Sequence, residues 1–252
     1  MSVSLGAVSA DPLAGLIDLP GVREAATTAR DAVAEVHRHP ANRRGWPASA
    51  AEASVRAARA SAALAGGSPA LPADGSVDDP VLAGALRVAE ALGAMLGTWQ
   101  RAPLQVLARL HVLAAADLSP EPTLGRPRSS PEVTARLDGL AQLIAGGSQV
   151  AAPVLVAVVH GELLALVPFA QANGVVARAA ARLTAISSGL DPKGLVLPEV
   201  AHLRREREYR AAATGFADGG PEPVGRWIVH CCTALRAGAD EARSIAEALA
   251  ST

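Results

Sequence analysis

Apolar residues recur three and four positions apart along most of this chain, in stretches spanning 48–65, 80–99, 103–116, 131–144, 151–166, 174–188, 197–213 and 224–237. That spacing lines one face of a helix, and the strict alternation that would mark strands is nearly absent, so the pattern predicts an all-α chain. Between the stretches stand runs rich in Gly, Pro, Asp and Ser: GGSPALPADGS from Gly66, SPEPTLGRPRSSPE from Ser119, AGGSQ from Ala145 and ADGGPEP from Ala217. These residues favour turns and interrupt helices, which makes the runs loops.

Two of the apolar stretches, 151–166 and 174–188, flank a short break at Pro168 and predict a central helix–loop–helix, joined by a loop over 167–173. Residues 1–47 carry a weaker pattern. They are expected to form an N-terminal segment ending in an irregular linker, VHRHPANRRGWP, with residues 48–252 as one helical domain. The linker holds His37 and His39, a pair with no further metal ligand at a suitable spacing, so no metal site is expected.

Composition sharpens this outline. Hydrophobic residues make up 50% of 252 residues, enough for a sizeable core, while aromatics are only 2%, so the core is expected to be closely packed Ala, Leu and Val. Lys plus Arg number 23 against 24 Asp plus Glu, and the net charge of -1 favours neither nucleic acid nor an anionic membrane. The apolar run 150–159 is too short for a membrane span of about 20 residues, and the first residues lack the pattern of a secretory signal. The adjacent Cys231 and Cys232 read as small buried hydrophobes. A cytoplasmic, reducing setting is the expectation.

The loop and the helix after it hold the candidate chemistry. Asn173 and Gly174 precede a strongly helical run, and a helix beginning there would turn its free N–H groups and positive dipole end toward an anion. Arg178 follows within two turns, and Arg182 shares its face. Asn173, Gly174 and Arg178 are therefore the candidate phosphate- or nucleotide-binding residues. The plain alternative is an Asn–Gly turn between packed helices, with both arginines in solvent.

The stretch LVPFAQANGVVARAAARL, from Leu166, resembles the signature of the Fic (Fido) family, His-Pro-Phe-x-Asp/Glu-Gly-Asn-Gly-Arg-x-x-Arg. Pro168, Phe169, Asn173, Gly174 and Arg178 match it in register. VLVAVVHGELLAL before it is similar to the helix leading into the signature, and ARLTAISSGLDP to the helix that follows. HVLAAADL and LGRPR, after His111, resemble the segment before the target-binding flap, and EYRAAATGFADGGPEPVGRWIVHCCTAL the C-terminal helices. The resemblance runs from near Ala51 to near Ala242 and implies a Fic-like helical domain. The few residues after Gly125 leave at most a vestigial β-hairpin flap.

In that family the signature His is the general base, the acidic position holds Mg²⁺, and the glycine loop with two arginines holds nucleotide phosphates. Here Val167 stands for the His, Gln171 for the acid, Ala172 for the first Gly and Val175 for the first Arg. General-base catalysis contributes about 10²–10⁴ in rate, and valine has no lone pair with which to supply it. A neutral amide is a poor ligand for Mg²⁺. His160 lies about 10 Å along the helix from Val167, on the right face but too distant to substitute, and Glu162 is off that face. SAALAG resembles the family's inhibitory motif Ser/Thr-x-x-x-Glu-Gly/Asn through Ser61, Ala65 and Gly66, with Ala65 in place of the Glu. The inhibitory partner of Arg178 being gone, its guanidinium is expected to face solvent or to pair with another acid.

The resemblance thus implies a degenerate Fic protein, inactive in AMP transfer, that binds a protein partner or a nucleotide-like small molecule and needs no cofactor. The alternative, from a different class, is a nucleotidyl or phosphoryl transferase with altered chemistry, using ATP and Mg²⁺. A third reading is an all-α protein whose likeness to the signature is accidental.

Overall fold

The structure is a computed structural model that describes residues 11–72 and 75–251. Among these the chain has ten α-helices and no strand, as the apolar spacing predicts. They are α1 (Val22–Arg38), α2 (Trp46–Leu64), α3 (Pro80–Trp99), α4 (Pro103–Ala115), α5 (Pro131–Gln142), α6 (Ala152–Leu166), α7 (Asn173–Ser187), α8 (Pro198–Arg204), α9 (Glu206–Asp218) and α10 (Pro221–Ala250).

The expected central hairpin is α6 with α7. Apolar residues surround α6 on all sides, the pattern of a helix enclosed by others, and Val154, Ala157 and Val159 are fully buried. In α7 every residue from 175 to 185 is buried. The pair forms a wall shared by two cores. One core gathers α1, α2 and α8–α10 around Val154, Ala157, Trp227 and Ile228; the other gathers α2–α5 around Leu82, Leu110, Leu163 and Leu183. Small residues let these helices approach closely. At Gly84 of α3 an added Cβ would lie 2.2 Å from the Ala114 carbonyl oxygen of α4, a clash that only glycine avoids.

Three expectations about elements are corrected. Before residue 48 the described chain is largely ordered helix. Val22, Ala26, Ala29, Val33 and Val36 form a buried stripe by which α1 packs along α10, and the supposed linker holds the last turn of α1, a 3₁₀ turn at Pro40–Asn42 and the start of α2. The stretch 197–213 is two helices, broken at Arg205 (φ −123, ψ 43), and the last helix extends to Ala250. By length and composition alone, α3 is apolar enough to cross a membrane. In this fold Leu82, Val88, Leu92 and Trp99 of α3 are buried, and the helix packs on α2, α4 and α7.

Candidate functional site

The loop between α6 and α7 is held from three sides. Arg128, in the segment before α5, donates through Nε to the Val167 carbonyl (2.8 Å) and through Nη2 to that of Leu166 (2.7 Å). Its backbone N–H reaches the Pro168 carbonyl at 2.7 Å. These bonds satisfy the carbonyls that the end of α6 leaves open. Phe169 is buried and stacks on His111 of α4, with ring centres 4.2 Å apart and planes 5° from parallel. His111 in turn accepts the Gly125 N–H at Nδ1 (2.8 Å), and burial pushes its pKa down. The flap-like segment is thus a 3₁₀ turn at Glu121–Thr123 and extended chain, docked on the loop without a hairpin.

The Asn173 side chain closes the loop on itself. Its Oδ1 accepts the Phe169 N–H (2.9 Å) and its Nδ2 donates to the Phe169 carbonyl (2.8 Å), so the amide is committed to architecture. Val167 (φ 46) and Ala172 (φ 56) both adopt the left-handed region, a conformation costing an L-residue roughly 1–2 kcal/mol. Ala172 stands where the Fic signature has glycine.

No side chain caps α7, and its first turn opens on a cleft of about 780 Å³. Gln171, Asn173, Gly174 and Arg178 line this cleft, as do Ala65 and Gly66 at the end of α2. Sequence reasoning missed Tyr209 and Arg210, which α9 brings to the opposite side. No spacing rule points to them, because α9 is distant in sequence from the signature. Gln171 donates to the Leu118 carbonyl (3.1 Å). Ala172 lines the cleft as well, whereas Val167 is 45% exposed outside it and Val175 is buried in the core toward α3.

Arg178 is neither solvent-facing nor paired with an acid, which corrects both expectations for it. It is only 4% exposed and donates to Ser61 Oγ (2.8 Å), the Ser61 carbonyl (2.8 Å) and Tyr209 Oη (3.3 Å). Burying a guanidinium among neutral groups is costly unless its donors are satisfied. Here the Ser61 carbonyl belongs to the last turn of α2, the negative end of that helix dipole, which offsets part of the cost. Gly174 makes room for the arrangement, since an added Cβ would sit 3.2 Å from Arg178 Nη1 and Nη2. Ser61, picked out as the first residue of the inhibitory-like motif, therefore does face Arg178. Arg210 holds the same helix end through the Leu64 carbonyl (3.0 Å).

Arg182 is also buried rather than solvated; it donates to the Gly194 carbonyl (2.8 Å) and lies 3.7 Å from Glu199. His160 is buried against Tyr209, and Glu162 pairs with Arg136 of α5. His37 and His39 do not converge: His37 binds Asp191 at 2.8 Å and His39 lies 3.5 Å from Glu247. Cys231 and Cys232 are buried free thiols, and burial pushes the Cys232 pKa up to about 12.

No protein-family model and no curated protein matches the sequence. Solved structures do match the fold. A Fic family protein from Desulfovibrio desulfuricans superimposes with a TM-score of 0.67 at 20% identity, over 89% of this chain and 74% of that one. Two structures of Fic-1 from C. elegans match at 18% identity, one with a TM-score of 0.70 over 93% of this chain and 74% of that chain, the other with 0.66 over 88% and 73%. The chain has the fold of these Fic proteins.

Proposed function

We propose that this Fic-fold chain is a binding or regulatory module that no longer transfers AMP, with a residual anion site in the cleft at the start of α7. The observation that carries the reading is what occupies the signature's chemical positions. The base is replaced by an aliphatic side chain outside the cleft, the acid by an amide tied to Leu118, and the first arginine by a valine in the core. No group there can take a proton from a target hydroxyl or hold Mg²⁺ by charge.

Binding is supported by what persists. The first turn of α7 is uncapped, Gly174 keeps its backbone open, and Arg178 and Arg210 stand in the lining. A nucleotide-like molecule of modest anionic charge, or an acidic side chain of a protein partner, fits this chemistry without a metal. The balanced charge of the chain and its two free thiols suit a cytoplasmic protein with no nucleic-acid partner.

Titrating ATP with and without Mg²⁺ tests the reading, with weak binding indifferent to Mg²⁺ as the expected result. Arg178→Ala is expected to weaken that binding by about 10- to 150-fold, the loss of a charge-assisted contact of about 1.5–3 kcal/mol. It also lowers the melting temperature, because the Ser61 and Tyr209 acceptors lose their donor. Unchanged affinity in a folded Arg178→Ala protein would place the ligand elsewhere.

A further inference from the structure

A buried polar cluster lies behind Arg178, and anion binding alone gives it no purpose. His160 (α6), Arg178 (α7), His202 (α8), Tyr209 (α9), and Trp227 and His230 (α10) meet there. His160 Nε2 lies 3.0 Å from Tyr209 Oη, and Arg178 Nη1 lies 3.3 Å from the same oxygen. His202 Nδ1 and His230 Nε2 are 3.1 Å apart. The His160 ring stands edge-on to Trp227 at 5.1 Å and to His202 at 5.4 Å.

A guanidinium only donates, so Tyr209 Oη accepts from Arg178 and its single hydrogen is free to point to His160 Nε2, an arrangement in which that nitrogen is bare and the His160 proton sits on Nδ1. The His202–His230 contact likewise needs one donor and one acceptor, so its two facing nitrogens share a single proton. Burial, with the positive charge of Arg178 and the neighbouring histidines, holds His160 and His202 well below the ordinary histidine range.

The charged groups around the cluster offer His160 no partner acid. From α7 come Arg178 and Arg182, and from α8 Glu199, which already lies beside Arg182. Asp191, at the edge of the same small cavity, binds His37 of α1 and the N–H groups of Leu195 and Val196. Cys231 of α10 is neutral, its pKa pushed up by burial, and Glu162 of α6 is paired with Arg136 of α5. His230, partly buried, feels Glu208 and Arg205. A void of about 30 Å³ lined by His160, Arg178, Glu199 and His202 has room for one water that can deliver a proton.

We propose that this cluster is a proton-operated latch on Arg178. A solvent proton taken up at His160 Nε2 makes that nitrogen a donor, so the Tyr209 hydroxyl must turn its hydrogen away. A second cation then faces Arg178 across the same oxygen. The guanidinium loosens from Tyr209 and Ser61 toward the cleft, and anions bind there more tightly as pH falls. The latch itself stands on the geometry; its effect on the cleft rests on the anion-binding reading.

Site-resolved NMR of the full chain, without ligand, tests the latch. The Arg178 Nε–H, buried on Ser61 Oγ, is expected to exchange slowly at about pH 7.5 and to be lost at the midpoint of the His160 titration, with the backbone spectrum still that of a folded protein. In His160→Gln the amide oxygen still accepts the Tyr209 O–H but cannot titrate, so the Arg178 signal persists through that pH. An Arg178 signal unchanged while His160 takes up its proton, lost at the same pH in His160→Gln, or lost only with global unfolding would overturn the latch. If His160→Gln does not fold, agreement or disagreement of the two wild-type midpoints decides. Inorganic sulfate, whose charge is constant over this range, tests the cleft. Its affinity is expected to be at least about fivefold higher at a pH below the His160 midpoint found by NMR than near pH 7.5. PH-independent sulfate binding overturns the coupling, and no binding at either pH counts against the anion site itself, while the NMR result still judges the latch.

Discussion

At the scale of single residues, the loop positions that match the Fic signature do architectural work. Phe169 anchors the loop through His111, Asn173 ties it off, and Gly174 clears space for Arg178. Ala172 occupies a left-handed position that the Fic signature gives to glycine, and Val167, β-branched, occupies another. Ala172→Gly is therefore expected to stabilise the protein by about 1 kcal/mol in urea denaturation, the relief of the strained φ exceeding the entropy that glycine adds to the unfolded chain. A loss of stability would mean that the Ala172 methyl contributes more by packing than its backbone costs. The register of the loop was legible in the sequence because Pro, Phe, Asn and Gly carry local backbone meaning. The partners of Arg178 were not. Ser61 and Tyr209 come from helices 117 and 31 residues away, and local spacing says nothing about which long-range neighbour covers a side chain.

Among the elements, the central hairpin was readable because α6 and α7 have long apolar runs and a proline between them. The helix α1 was within reach as well. Its buried positions 22, 26, 29, 33 and 36 follow helical spacing, but the intervening charged residues and the polar flanks masked the stripe. The break at Arg205 had no Gly or Pro to announce it; it arises where α8 turns away along α10 and α9 begins. Because Val33 is fully buried in the core that α1 shares with α10, Val33→Ala is expected to cost about 1–3 kcal/mol in a single unfolding transition seen by both circular dichroism and Trp fluorescence. Separate transitions would show instead that α1 melts independently of the rest.

For the whole molecule, buried neutral histidines tie stability to pH. Burial is the leading cause that lowers the pKa of His111, His160, His202 and His230. Each lowered folded pKa means that the unfolded chain binds more protons below about pH 6.5, so stability rises with pH through that window and is lost as pH falls. The urea midpoint is expected to drop between pH 7.5 and pH 5.5, as the unfolding free energy falls by up to about 1.4 kcal/mol per pH unit for each histidine that unfolding sets free to protonate. A midpoint unchanged across that range would mean that these rings titrate alike in the folded and unfolded chain. The same fold that buries these rings carries the cleft, and its likeness to Fic proteins covers most of the chain. The central claim is that the cleft has outlived the transfer chemistry, and a labelled-nucleotide transfer assay addresses it most directly. With ATP labelled in its adenosine moiety, Mg²⁺ and a panel of protein acceptors including the chain itself, the account predicts no incorporated label, and none from Val167→His alone, since Gln171 and Val175 still leave metal and phosphates poorly held. Robust Mg²⁺-dependent labelling by the unmodified protein would contradict it.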